Sequence, residues 1–232
     1  MHHADRYVML VSSLPHLGPL FRTKQTPLSR LKLQERLRML RDEDAVQLAQ
    51  IEDVMHWSHY PVERSDAYIV AQTQTLLETL HSETLRDVVR FRMEQRTIVA
   101  ALRRRRLGED APPRDLPWGI TPWLSHIIKH WRAPYFALQP VFPWIKDAVR
   151  HMQENDLIGL ERLLMARVWE RCVQAAQFHP FDFEAVVLYV LRWNIIDRWS
   201  RYDAAAAAER FDALVREGLC EYADVFAASG ID

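Results

Sequence analysis

Glycine is scarce in this chain, with six residues in 232. None sits in a GxxxxGK[ST] phosphate loop or in a GxGxxG turn following a strand. No GxSxG nucleophile elbow occurs either. With so few places where backbone amides can closely approach a phosphate, nucleotide chemistry is not expected. Cysteine is scarcer still: Cys172 and Cys220 stand far apart and outside any CxxC pattern. Two cysteines cannot staple a domain of this size, which points to a reducing, cytoplasmic compartment. No run approaches the roughly 20 apolar residues needed to span a bilayer. The apolar start Tyr7–Val11 falls short of a secretory core of roughly 7–15 residues, and no small-residue cleavage pattern follows it. Any membrane link is therefore expected to run through a partner. Charge bias is missing too, since 30 basic side chains face 31 acidic ones. That balance argues against a wholesale nucleic-acid or membrane-surface binder and leaves room for a local patch.

What the chain does have is helical texture. Its long glycine-poor stretches are rich in Leu, Ala, Arg, Glu and Gln, which suit helix interiors. In "YVMLVSSLPHL", Tyr7, Leu10, Val11 and Leu14 recur at i, i+3, i+4 and i+7, one stripe of a 3.6-residue period. Pro15 and Gly18-Pro19 close that segment. Thr26 as N-cap and Pro27 at the first helical position open the next, with Leu31, Leu37 and Leu40 facing inward. Asp42 is the expected cap of a third helix carrying Val46, Ala49 and Val54 inward. A further block starts at Asp66. After His81-Ser82 a long helix follows, with Val88, Phe91, Ile98 and Leu102 along one side, Gln95 interrupting them, and Gly108 as the stop. Residues 108–117, "GEDAPPRDLP", read as a linker.

Beyond the linker, residues 117–144 hold four of the eight tryptophans among short proline-punctuated segments. Helices resume near 141–153, from Asn155 to about Phe178, and through "FEAVVLYVLRWNIIDRW". Val186–Leu191 is apolar on every face, which marks a central helix. A last helix has Asp203 as cap, the run Ala204–Ala208, an inner face of Phe211, Leu214 and Val215, and Gly218 as its stop. Sustained period-2 alternation is missing. The expected fold is an all-α multi-helix bundle. It is arranged either as two lobes (1–107 and 118–232) joined by the Pro-rich linker 108–117, or as one packed domain.

Few residues suggest chemistry. His126 and His130 in "HIIKH" stand four apart, but the zinc-protease pattern HExxH needs a glutamate where this chain has Ile127. His56 and His59 are three apart at a helix end. Neither pair has an evident third ligand, so no metal, cofactor or catalytic residue is assigned. Arg103, Arg104, Arg105 and Arg106 form the one strong charge run. Its plain use is to complement a helix C-terminus, at about 0.3–1 kcal/mol per exposed cation. Its functional use would be an anionic partner surface: an acidic protein, lipid head groups or RNA. Four consecutive positions point all round a helix axis rather than along one groove. Trp118, in "LPWGITPW", is the tryptophan expected to meet a partner, because Trp is enriched at interface hot spots. Asp197 and Arg198 either form a buried polar contact or end a buried helix. The candidate partner-binding residues are thus Arg103 to Arg106 and Trp118.

Two stretches carry a resemblance. "YVMLVSSLPHL" is an aromatic-led apolar start closing in Leu-Pro. "VVLYVLRWNIIDRWSRYDAAAAAERFDALV" is an apolar helix passing through Arg192 to an Ile-Asp-Arg-Trp ending at Trp199. Together they resemble a family of bacterial proteins of unassigned function encoded among the subunit genes of V-type (A/V-type) ATPases. The resemblance implies a non-catalytic accessory subunit, similar to the all-helical stalk component named C (d in eukaryotes), which links the central axle to the membrane rotor ring. It implies other V-type ATPase subunits as partners, and a cytoplasmic position peripheral to the inner membrane. Two further readings stand beside it: a helical module binding RNA or another polyanion through Arg103–Arg106, and a metal-dependent helical hydrolase using His126 and His130.

Overall fold

The computed structural model describes residues 7–22, 25–56, 65–112 and 117–202. Among these the regular structure is helical, with no strand. The helices are α1 (Val8–Ser13), α2 (Arg30–Leu37), α3 (Asp42–Met55), α4 (Asp66–Thr79), α5 (Glu83–Arg106), α6 (Leu124–Lys129), α7 (Ile145–Gln153) and α8 (Leu157–Ala176), followed by α9 over 183–202. A short 3-10 turn, Pro134–Ala137, lies between α6 and α7. The expected all-α multi-helix bundle is what the chain forms. The expected helix beginning at Asp203 lies outside the described residues, as do His59 and Cys220.

Most helix starts follow local chemistry. The side chains of Ser65, Ser82 and Asp156 accept the amides of Tyr68, Leu85 and Gly159, respectively, as N-caps do. At α2 the cap is Ser29, which accepts the Lys32 amide at 3.4 Å, rather than Thr26. The cause is tertiary. Leu28 is buried and its carbonyl accepts the indole N–H of Trp193 at 3.0 Å, which ties this segment to α9. Of the expected inward residues, Leu40 is buried and Leu37 packs against the core, but Leu31 is exposed and Leu33 is buried in its place. In α3, Asp42 is the first helical residue and not the cap; Asp42, Glu43 and Asp44 place negative charge in the first turn, which the helix dipole favours. Leu48, Ile51, Val54 and Met55 face inward there, while Val46 and Ala49 face out.

Helix α5 ends as read from Gly108. That glycine has φ +87°, its N–H bonds to the Arg105 carbonyl at 3.1 Å, and the Glu109 N–H reaches the Arg104 carbonyl at 3.1 Å. This paired pattern is a Schellman termination.

Two hydrophobic cores form, and they do not separate at the linker. The first gathers α1 to α4, the front of α5 through Met93, the back of α8 and all of α9. Val186, Val187, Leu188 and Val190 have no exposed surface, so α9 is the central helix expected. The second core is built on Trp118, Trp131, Phe136 and Trp144. Helix α5 feeds it through Ile98 and Leu102, and α8 through Leu160 and Leu164. Both long helices therefore belong to both cores.

The segment Tyr7–Pro15 is fastened to α9 and to the turn before it. The Tyr7 N–H donates to the Phe181 carbonyl at 2.8 Å, and the Tyr189 hydroxyl donates to the Pro15 carbonyl at 2.9 Å. Burial pushes both phenols up to about 12, with the Tyr7–Asp44 hydrogen bond adding to the first. Across the molecule, Thr97 on α5 receives the Ile120 N–H on its hydroxyl at 2.9 Å. A Cβ at Gly119 would lie 2.3 Å from the Thr97 methyl, so glycine is required for the 117–121 segment to cross α5 this closely. Gly119→Ala is expected to cost about 1–3 kcal/mol through overpacking. A lower urea midpoint would report that loss; an unchanged midpoint would show that the segment does not rest on Thr97.

Candidate functional site

The four consecutive arginines radiate from the end of α5 and reach different neighbours. Arg104 donates to Asp66 at the start of α4 at 2.9 Å and reaches Glu109 at 3.3 Å. Arg105 donates to the Ala133 carbonyl at 2.7 Å, with its guanidinium 4.7 Å from the Phe136 ring centroid. There it braces three successive non-glycine residues of positive φ, Tyr135, Phe136 and Ala137, a conformation costly for side chains bearing a Cβ. Arg106 donates to Asn155 Oδ1 at 2.7 Å, in the turn joining α7 to α8. Arg103 is exposed and has no carboxylate partner among the described residues. Three of the four candidates thus tie the second core and α4 to the end of α5, and one remains directed outward.

Trp118 differs from the expectation. It is 5% exposed and packs edge-to-face on Trp131, with ring centroids 6.3 Å apart. Trp131 in turn donates its indole N–H to the Glu109 carbonyl at 2.8 Å. A proline-flanked tryptophan that looks mobile in sequence is here a core side chain, because the 117–121 segment lies flat on α5.

His126 on α6 and His130 just after it do not converge on a third ligand among the described residues. The His126 and His130 rings stack 4.1 Å apart, and each is bonded to backbone: His126 Nε2 with the Phe136 carbonyl, His130 Nδ1 with the His126 carbonyl. A different trio, His179, Asp182 and Glu184, brings its ligand atoms within 4.8 Å of one another. Two of its three groups, His179 and Asp182, are already engaged. His179 Nδ1 meets Asp182 Oδ2 at 2.6 Å, His179 Nε2 meets Thr84 Oγ1 at 2.9 Å, and Asp182 Oδ1 accepts the Ala185 N–H at 2.9 Å. This line of Thr, His and Asp has the order of a nucleophilic triad, but neither groove described below reaches it. It joins the start of α5 to the start of α9 and caps the latter.

Two grooves flank the end of α9, and Arg198 lines both. The smaller, about 480 Å³, is organised by a charged network. Arg30 forks onto Glu52 with bonds of 2.8 and 3.1 Å, and Asn194 donates to the same carboxylate at 2.8 Å. The bond to Glu52 holds the Arg30 guanidinium above its ordinary range. His56 also lines this groove; burial, and then the charge of Arg198, push its imidazole below the usual histidine value. Asp197 pairs with Arg201 at 2.6 Å and Arg198 with Glu161, so Asp197 and Arg198 do not pair with each other.

The larger groove, about 840 Å³, runs between the end of α5, the start of α8 and the end of α9. Five arginines line it, Arg92, Arg96, Arg103, Arg104 and Arg198, against the three carboxylates Asp66, Glu109 and Glu161. Its lining also includes Leu107, Leu157 and Ile158, exposed by 82%, 67% and 57%. Tyr202, the last described residue, lines it too, accepting from Arg198 at 2.9 Å and donating to Glu161. Such a surface is suited to holding an amphipathic, acidic partner by charge and apolar contact. The smaller cavity brings together Arg30 and Asn194, 164 positions apart, and no local spacing signals either groove.

A helical chain with two grooves beside α9, its last described helix, is the class these features define. The family described as "Protein of unknown function (DUF2764)" matches residues 62–218, well over half of the chain, and the chain belongs to that family. The matched span includes the arginine run and the Leu188–Trp199 stretch but not Tyr7–Pro15. No curated protein and no solved structure matches the chain. No described helix is long and apolar enough to cross a membrane.

The Arg30–Glu52–Asn194 network makes a specific prediction. Glu52→Gln keeps the side-chain shape and removes the charge both partners use. A loss of about 1 kcal/mol is expected in urea unfolding, since charged hydrogen bonds at partly exposed sites contribute modestly. Adding Arg30→Ala should then cost clearly less than it does alone. Strict additivity of the two changes would show that the network carries no coupling.

Proposed function

We infer that this chain is a non-catalytic accessory subunit of a bacterial V-type (A/V-type) ATPase. It acts as a rigid helical adaptor in the manner of the C (d) component of the central stalk, between other subunits at the cytoplasmic face of the membrane. The observation that carries this reading is the union of the two stretches that bear the resemblance. Tyr7 to Pro15 and Leu188 to Trp199 are far apart in sequence, yet they are bonded into one unit through Tyr189 and the Pro15 carbonyl. The same helix, α9, then turns Asn194, Asp197 and Arg198 toward a groove. A framework that supports a recognition surface is what an adaptor requires, and its binding groups are distributed along helices rather than gathered on one reacting atom.

The polyanion reading draws less support, because Arg104, Arg105 and Arg106 are engaged within the chain. Binding of this protein to RNA should accordingly show a weak salt dependence, whereas neutralising several phosphates gives a steep one. The decisive test is affinity purification of the tagged chain from native membranes under mild detergent. Co-purification of the ATPase catalytic subunits in fixed proportion is expected, and their absence from repeated purifications would contradict the assignment.

A further inference from the structure

Residues 117–146 contain no aspartate or glutamate, although the whole chain has 31 acidic side chains in 232 residues. Lys129, Arg132 and Lys146 lie in this span; all are exposed, and none meets a carboxylate among the described residues. Cations on the long helices behave otherwise: Arg86 pairs with Glu83, Arg104 with Asp66 and Arg171 with Asp87. The carboxylates that border the span are engaged elsewhere. Glu94 accepts the Thr121 hydroxyl at 3.1 Å, Glu109 pairs with Arg104 at 3.3 Å and Asp147 with Arg150 at 3.0 Å. The buried side of the span, with Ile127, Phe136, Leu138 and Ile145, packs onto the second core. Its outward side exposes apolar surface as well as cations. Ile128 and Val141 are each 47% exposed, and Pro122, Pro134, Pro140 and Pro143 stand outside with them. Proline has no N–H, so such a surface leaves few backbone donors to desolvate.

We propose that the outward side of residues 117–146 seats directly on an anionic phospholipid surface. Ile128, Val141 and the prolines enter the headgroup boundary, and Lys129, Arg132 and Lys146 meet lipid phosphates. Singly exposed apolar side chains are ordinary; apolar surface joined to unpaired cations without any acid is the composition of an interfacial contact. The surface is also preformed, which lowers the ordering cost of binding. Arg105 and His126 hold the 133–137 turn through the Ala133 and Phe136 carbonyls. A row of half-buried rings joins α6 to the segment before α7: Phe142 to Trp123 at 6.1 Å, Trp123 to His126 at 5.9 Å and His126 to His130 at 4.1 Å. A single-stranded nucleic acid needs free ring faces on which bases stack. Here His126 and His130 stack on each other and Trp123 meets its neighbours edge-on, so the surface favours lipid. None of residues 117–146 lines either groove beside α9, so this contact is separate from both and does not rest on the adaptor reading.

Co-sedimentation of the purified full-length chain with lipid vesicles tests this with no ATPase subunit present. Vesicles of phosphatidylcholine are compared with vesicles holding an equal share of phosphatidylglycerol. Binding to the anionic vesicles is expected to be at least roughly tenfold tighter and to weaken as salt is raised. Each cation near an anionic surface contributes roughly fivefold, so Lys129→Gln, Arg132→Gln and Lys146→Gln together should lower binding about hundredfold. Ile128→Ser with Val141→Ser should lower it as well, through lost apolar burial. The control, Lys32→Gln with Arg38→Gln and Arg103→Gln, removes three other exposed cations and should bind as the unaltered chain does. All these side chains are exposed, and unchanged helical circular dichroism checks that each variant folds. No preference for anionic vesicles, an equal loss in the control, or binding of a single-stranded RNA through the same residues in place of vesicles would overturn the proposal.

Discussion

Helix α5 is shared by two cores, and most of the molecule depends on that sharing. Its front half packs Val88, Val89 and Met93 among α3, α8 and α9, and its back half packs Ile98, Ala101 and Leu102 beneath the tryptophan cluster. Burial on nearly all sides provides the dominant favourable energy, at roughly 25 cal/mol per Å² of apolar surface removed from water. The arginines at its end add direction to that burial. Because they leave the axis at successive angles, each can meet a different backbone or carboxylate: the start of α4, the left-handed turn at 135–137, and the α7–α8 turn. A cation run that merely complemented the helix dipole would not need these partners. Here the run also holds the second core in register with the first. Gln95, buried in the middle of α5 without a hydrogen-bond partner for either end of its amide among the described residues, has no account in the structure.

The parts of the fold legible in the sequence were those decided by local chemistry or by uninterrupted apolar character. The Gly108 stop is one, since a left-handed residue after a basic last turn leaves few alternatives. The central place of α9 is another, since Val186 to Leu191 has no polar face to offer to water. What could not be read locally was set by contacts between distant residues. Thr26-Pro27 has the form of a helix start, but Trp193 takes the Leu28 carbonyl and the helix begins at its Ser29 cap; Leu37 and Leu40 pack inward as read, while Leu33 takes the place expected of Leu31. Trp118 has the surroundings of an exposed loop, and only its crossing over Thr97 buries it. The charged groove of Arg30, Glu52 and Asn194 joins three segments that no spacing rule connects. The arginine run was visible, but whether its members were free or engaged depended on neighbours that the run itself does not specify.

The functional picture follows from the same division of labour. In the Leu188–Trp199 stretch, Leu188, Val190, Ile195 and Ile196 serve the core, while Asn194, Asp197 and Arg198 face the smaller groove. A single helix therefore anchors the fold and lines a groove; under the adaptor reading proposed above, a partner bound there would bear on the central element of the protein. The stacked pair His126 and His130 is bonded to backbone carbonyls, and His179 takes part in the cap of α9.

If α5 joins both cores into one cooperative unit, the two halves of that helix cannot open separately. Amide hydrogen exchange measured residue by residue under native conditions tests this directly. The amides around Val89–Met93 and those around Ile98–Leu102 should exchange with the same free energy of opening, equal to that of global unfolding, and shift together when denaturant is added. Two distinct opening energies, with the Ile98–Leu102 amides exchanging by a smaller, separate unfolding of the tryptophan core, would contradict it.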